Sequence, residues 1–300
     1  MRVFVTGATG FVGTAIVREL LDHGHQVLGL ARSDASADKL AALGADAMLG
    51  DLEALETLAE GVRQADAAIH AGFMHDFARY SQACEIDRLA IETLGNAIND
   101  SAKPFIVTAG VAFISSSGPL TLETDAALPP SEHYPRASEK TAKELSDRGI
   151  PTTIMRLPPS VHGAGDHGFV PTLIEIARQT GRSAYIEDGA NAWPAVHVED
   201  AARAFRLAIE HGPAANTFHA VSEESIPFRR IAEVIGAGLG VPSVSLSTDE
   251  AQAHFGWFYP FASINQPTSS ARTRDVLGWQ PKAPDLLTDM ANAGYFMQDK

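Results

Sequence analysis

The sequence predicts an α/β protein: a doubly wound parallel sheet with a smaller C-terminal lobe over it. Three observations carry this. Apolar runs of strand type recur at 2–6, 26–31, 46–49, 67–70, 105–108 and 152–156, separated by helix-length segments with alanine- and leucine-rich faces. That alternation calls for a parallel sheet with helices on both faces and right-handed crossovers. The first run, Val3-Phe4-Val5, breaks at Thr6-Gly7, and Gly7, Gly10 and Gly13 then stand three apart before a helical stretch from Thr14 to His23. Beyond about residue 157 the texture changes to segments rich in proline, glycine and aromatic residues.

In the first unit each glycine has a physical job. Gly7 permits a tight turn, Gly10 lets the backbone approach a pyrophosphate, and Gly13 lets the helix pack closely on the sheet. Around Thr9, Phe11 and Val12 the free N–H groups of the helix start, with the positive end of its dipole, hold phosphates. A purely structural glycine turn is the alternative. Placed directly after a strand and opening a helix, the trio reads as a Rossmann-type dinucleotide site.

The second strand, Gln26 to Leu30, ends at Ala31-Arg32-Ser33. NAD enzymes of this design usually carry an acid near that point for the ribose 2′-hydroxyl. Arg32 can instead pair a 2′-phosphate and stack on adenine, and Ser33 can donate to the phosphate, so NADP is expected ahead of NAD. An ordinary surface arginine is the alternative. Asp51 and Leu52 follow the third strand, placed to flank adenine. His70, Ala71 and Gly72 follow the fourth, where open parallel sheets hold ligands. His70 is either a cofactor contact or a hydrogen-bonded interior histidine.

The expected organisation is a dinucleotide-binding domain over 1–161, with 195–225 returning to it, and a substrate lobe formed by 162–194 and 226–300. A chain of 300 residues can bury about three quarters of its unfolded surface. Cys84 is the only cysteine, which excludes an internal disulfide framework, and the eleven histidines are not spaced as metal ligands, so no metal is expected. A formal net charge of −14 argues against nucleic acid and anionic membranes as partners. With no leader ahead of the first strand and no apolar run long enough to span a bilayer, a cytoplasmic enzyme with a small-molecule substrate is expected.

Further motifs run nearly end to end: Thr6-Gly7-Ala8-Thr9-Gly10-Phe11-Val12-Gly13, Gly50-Asp51-Leu52, His70-Ala71, Arg156 to Gly163, Val196-His197-Val198-Glu199-Asp200 and Leu277-Gly278-Trp279-Gln280-Pro281. Together they resemble the extended or atypical short-chain dehydrogenases/reductases, the NAD-dependent epimerase/dehydratase-like superfamily. The resemblance implies a nicotinamide cofactor, with contacts at Pro158 and Ser160 as well, and makes a homodimer the default assembly.

The catalytic positions depart from that family's pattern, a tyrosine with a lysine four residues later on one helix face. Four residues after Tyr134 stands Ser138. Aligning Ser138-Glu139 with the family's Ser-Lys puts Pro135 at the tyrosine place and Glu139 at the lysine place. Aligning on Lys140 puts Arg136 at the tyrosine place, and the usual serine of the fifth strand falls at Gly110. Four residues remain as candidates for the acid/base work. Tyr134 is the best single proton donor, the alternative being a tyrosine that packs between lobes. Thr108, Lys140 (alternatively a solvated helix lysine) and His162 (alternatively a packed histidine) complete the set. His75, Phe77, His167, Trp193 and Trp257 are expected around the substrate, although several aromatic residues of this lobe belong to the core. The function expected is an NADP-dependent oxidoreductase acting on a small, rather apolar carbonyl or hydroxyl compound with a non-standard proton donor. A non-catalytic NADP-binding sensor or interaction module, and a redox-neutral epimerase or dehydratase, are the alternatives.

Overall fold

A computed structural model describes residues 1–76, 79–98, 101, 103–112, 114–116, 118–132, 134–212, 216–292 and 294–297. The first half alternates as expected: β1 (Arg2–Thr6), α1 (Phe11–Asp22), β2 (Gln26–Ala31), α2 (Asp34–Leu43), β3 (Asp46–Leu49), α3 (Leu55–Arg63), β4 (Ala67–His70), α4 (Tyr80–Ile98), β5 (Phe105–Gly110), α5 (Ser138–Asp147) and β6 (Thr152–Leu157). There follow β7 (Ser160–His162), α6 (Phe169–Thr180), β8 (Ser183–Ile186), β9 (Ala192–His197), α7 (Val198–His211) and β10 (Thr217–His219). The chain continues through β11 (Glu223–Pro227), α8 (Phe228–Leu239), β12 (Ser243–Leu246), α9 (Thr248–Phe255), α10 (Tyr259–Ala262), α11 (Ala271–Leu277) and α12 (Leu286–Asn292).

Seven strands form a parallel sheet in the order β10-β6-β5-β4-β1-β2-β3. The chain runs one way from β1 to β3 and then returns past β1 to β4, so the order reverses between β1 and β4. Both faces are covered. Val3, Val5, Ile16, Leu20 and Phe205 pack on the side of α1 and α7, while Phe4, Leu58, Ile91, Phe105 and Leu145 pack on the side of α3, α4 and α5. Strands buried on both faces need the continuous apolar runs seen in β1 and β4.

The second lobe has its own apolar cluster, centred on Trp193, Phe228 and Phe258. Two small sheets serve it, β11-β9-β7 and β12-β8. The return to the large sheet expected at 195–225 is made by α7 and β10, whereas β9 pairs with β7 and β11 in the lobe. The buried Asp200 ties the C-terminal segment down. Its carboxylate accepts from the backbone N–H of Lys282 (2.9 and 3.0 Å) and of Ala283 (2.9 Å) and pairs with Arg203. The Asp200 carbonyl accepts from the Trp279 indole at 2.9 Å. No helix among the described residues is long and apolar enough to cross a membrane.

Candidate functional site

The reversal between β1 and β4 opens a cleft beyond the strand ends, the place where open parallel sheets hold ligands. Gly7 there has φ +67°, and a Cβ on it would lie 2.6 Å from the Ala71 carbonyl oxygen. A Cβ on Gly13 would lie 1.9 Å from the Gly7 carbonyl oxygen, so α1 approaches the turn more closely than any side chain allows. The Gly10 N–H bonds the Gly7 carbonyl at 2.9 Å, and α1 then begins at Phe11, ahead of the stretch expected from Thr14, with no side chain capping it. Uncapped N–H groups beside a backbone lacking Cβ atoms make a cradle of the kind a pyrophosphate fills. Gly7, Thr9, Gly10, Phe11, Val12 and Gly13 thus come together around one turn.

At the end of β2, Ala31 is buried and Arg32 is exposed, with no ion pair among the described residues. Ser33 caps α2, its hydroxyl accepting from the Ser36 N–H at 3.3 Å. Asp51 closes a turn by accepting from the N–H groups of Glu53 (2.9 Å) and Ala54 (3.0 Å), and Leu52 packs under Gly72. These residues line the edge expected for the adenosine half of a dinucleotide, and they fit it: no acid stands at the β2 end, and a free cation does.

His70 resolves to the interior reading. It is 1% exposed, and both ring nitrogens are engaged, Nδ1 with Thr6 Oγ1 at 2.8 Å and Nε2 with Asp87 Oδ1 at 3.0 Å. One tautomer satisfies every group: Thr6 donates to Nδ1, Nε2–H donates to Asp87, and Thr6 accepts from the Gly72 N–H at 3.2 Å. Asp87 also accepts from the Ser138 hydroxyl, which in turn accepts from Arg136 Nε at 2.9 Å. Burial alone would raise the Asp87 pKa, but the bond from His70, the charges beside it and the Ser138 hydroxyl hold it below the usual carboxylate range. A single buried chain of hydrogen bonds therefore runs from the glycine turn to the start of α5.

At that start Glu139, which one alignment puts where the family carries its lysine, is paired with the buried Arg156 through both Nε (2.9 Å) and Nη2. Arg156 also donates to the Asp125 carbonyl at 2.8 Å and to His219 Nε2 at 3.1 Å, so His219 is neutral, its pKa pushed down to about 3 by burial and by the Arg156 charge. Beside this corner lies a pocket of about 310 Å³ whose walls include Gly110, Leu128, Pro130, Tyr134, Arg136 and Lys140. Burial raises the Tyr134 pKa, with Arg136 as the opposing charge, so the phenol keeps its proton at neutral pH. Arg136 also covers the Phe73 ring, 4.4 Å from its centroid.

The remaining expected residues fall at different distances from this cleft. Thr108 lies on β5 with a buried hydroxyl that has no hydrogen-bond partner among the described residues. Lys140 lines the pocket but is exposed and paired with Glu144 at 2.9 Å, which matches the solvated-lysine alternative. His162 is fully buried, its Nδ1 2.8 Å from Asp289 and its ring edge-on to His197, so the expected proton donor is a packed histidine of the second lobe. Trp193 is likewise not a substrate wall. It is fully buried, and its indole N–H donates to the Phe261 carbonyl at 3.2 Å. Trp257 is 59% exposed against Phe258 and Phe261, outside the residues that wall the pocket. Pro158 and Ser160 are buried at the β6–β7 junction, the Ser160 hydroxyl without a partner among the described residues.

His75 and His167 come together from the two lobes. His167 meets the Phe11 ring edge-on at 5.9 Å, and burial with the charges of Arg136 and His167 lowers the His75 pKa. Phe77 lies outside the described residues. Sequence reasoning missed Ser138 and Asp87 as members of one chain, and it missed Glu139 as the partner of Arg156. Only the unusual Glu139, where the family carries a cation, signalled that a compensating charge had to lie nearby.

A model of the NAD dependent epimerase/dehydratase family matches residues 3–220. The chain belongs to that family. Within and around it, an uncharacterized protein of Schizosaccharomyces pombe is 47% identical over 297 residues, covering 99% of this chain and all of its own. A 4-hydroxy-2-methyl-3-oxo-4-farnesyl-3,4-dihydroquinoline-1-oxide ketoreductase of Stigmatella aurantiaca is 30% identical, covering 85% of this chain and 80% of its own. The fold of this family member superposes on a dTDP-glucose 4,6-dehydratase from Streptomyces venezuelae with a TM-score of 0.79 at 20% identity, covering 99% and 96% of the two chains.

Proposed function

We propose that this protein is an NADP-dependent oxidoreductase that reduces a small, rather apolar carbonyl compound, with Tyr134 as the proton donor. The observation that carries the cofactor half is the uncapped glycine turn together with the free Arg32 at an acid-free β2 end. NADPH, when bound, supplies the hydride. Tyr134 then has a defined task at the pocket wall, donating its phenolic proton to the carbonyl oxygen as negative charge develops there. Its raised pKa keeps the phenol protonated, as a donor must be, and disfavours the phenolate that the reverse oxidation would require, while making the phenol a weaker acid. The compact pocket and its alanine, leucine and proline walls support a small substrate rather than a nucleotide sugar. The resemblance to a ketoreductase supports the same direction.

The rewritten α5 start favours a second reading, a protein that binds NADP without turnover. Arg32→Ala tests the cofactor half. It should weaken NADPH binding about tenfold or more while leaving NADH nearly unchanged, as expected for loss of a charge-assisted phosphate contact. Equal losses for the two cofactors would mean that Arg32 does not read the 2′-phosphate. Turnover of carbonyl compounds with stoichiometric NADPH consumption separates the enzyme from the sensor.

A further inference from the structure

We propose that Arg136 is the anion-binding group of the pocket beside α5, and that the carbonyl compound reduced there carries a carboxylate on a short apolar skeleton. This rests on the reading of that pocket as the substrate site. The argument begins with how the two arginines of this corner are used. Arg156 is 1% exposed, and Nε and both terminal nitrogens are engaged by Glu139, the Asp125 carbonyl and His219. It is a structural cation with its charge answered.

Arg136 is half-buried, and Asp87, whose carboxyl its charge helps to hold low, meets it only through Ser138. Nε donates to Ser138, one face lies on Phe73, and among the described residues it forms no ion pair. The Asp87 oxygens already accept from His70 and Ser138. Among the described residues the terminal nitrogens of the guanidinium thus form no hydrogen bond, and Arg136 lines the pocket. A planar fork stacked on an aromatic ring and partly removed from water is suited to a planar, two-oxygen anion.

The rest of the pocket agrees in kind. Ala109, Ala112, Leu128 and Pro129 offer apolar contact only, which suits an alkyl or aryl skeleton. Among the described wall residues the one carboxylate, Glu139, is neutralised by Arg156; Lys140 is paired with Glu144, and the exposed Lys143 adds a cation at the rim in a chain of net charge −14. A single guanidinium with four terminal N–H donors matches a carboxylate; a phosphate monoester would draw on a larger donor set.

Calorimetric titration of the full-length protein, with and without NADPH, tests this with three non-reducible probes: octanoate, octanamide and octyl phosphate. Octanoate should bind about tenfold or more tighter than octanamide, and Arg136→Gln should make the two comparable. Should Arg136→Gln lose NADPH binding as well, Arg136→Lys decides, since it keeps a cation but loses the fork. A weakened octanoate preference there supports the assignment, and an unchanged one overturns it. Equal affinities in the parent, a preference that survives Arg136→Gln, or no octanoate binding at all would overturn it too. Tighter binding of octyl phosphate would move the ligand class away from carboxylates. NADPH binding, followed in the same samples, judges the cofactor reading separately.

Discussion

At the glycine edge the groups that face the cleft belong to the backbone, whereas at the start of α5 they belong to side chains. The edge works through what is missing: a Cβ at Gly13 would sit 1.9 Å from a carbonyl oxygen, and no side chain caps α1. The α5 corner works through what has been exchanged. One alignment puts Glu139 at the lysine place with Pro135 at the tyrosine place, another puts Arg136 at the tyrosine place with Lys140, and the usual serine falls at Gly110. Backbone geometry of the first kind tolerates almost no substitution and so keeps its signature. Side-chain chemistry of the second kind can be replaced one group at a time, provided that each buried charge keeps a partner. Here Arg156 lies paired with Glu139, and His70 lies between Thr6 and Asp87.

The sharpest way to break this comparison is to put the family's lysine back. Glu139→Lys should not restore a catalytic pair, because it sets a second cation against the buried Arg156. Loss of one partner of a buried pair costs about 3–5 kcal/mol, and like charge adds to that. Urea denaturation should show the loss. A variant as stable as the parent and more active would mean that Arg156 does not hold this position. Next in size is Gly13→Ala, which asks whether the edge is as intolerant as its contacts imply. Overpacking against backbone should cost about 1–3 kcal/mol in thermal unfolding and abolish measurable NADPH binding. Normal binding would show that the turn relaxes. The smallest effect expected is kinetic. Tyr134→Phe should lower kcat for carbonyl reduction about tenfold, or about 1.4 kcal/mol, with stability little changed. An unaltered kcat would remove Tyr134 from the chemistry and strengthen the sensor reading.

The same contrast explains what was legible in the sequence. Six strands of the large sheet could be placed from apolar runs because strands buried on both faces cannot hide their composition. The glycine turn was legible because only glycine meets its contacts. The roles of His162 and Trp193 were not. A histidine bonded to Asp289 and a tryptophan bonded to Phe261 are separated from those partners by 127 and 68 residues, and nothing local in the chain announces the pairing. For the same reason the route from Gly72 through Thr6, His70, Asp87 and Ser138 to Arg136 could not be read in advance. It joins four separate stretches of chain that meet only after the sheet has formed.

The anchoring of the C-terminal segment on Asp200 bears on how the molecule is made. Leu277 and Trp279 belong to the apolar cluster that lies under α1 and α7, and Lys282 and Ala283 complete the hydrogen bonding of the Asp200 carboxylate. Every strand of the large sheet has been synthesised by His219, yet the face beneath α7 still lacks its last side chains at that point. A nascent chain must therefore carry an unfinished apolar surface, and an Asp200 carboxylate answered only by Arg203, until residues 277–283 emerge from the ribosome. The nucleotide-binding half, although it comes first in the sequence, is among the last parts of the molecule to be sealed.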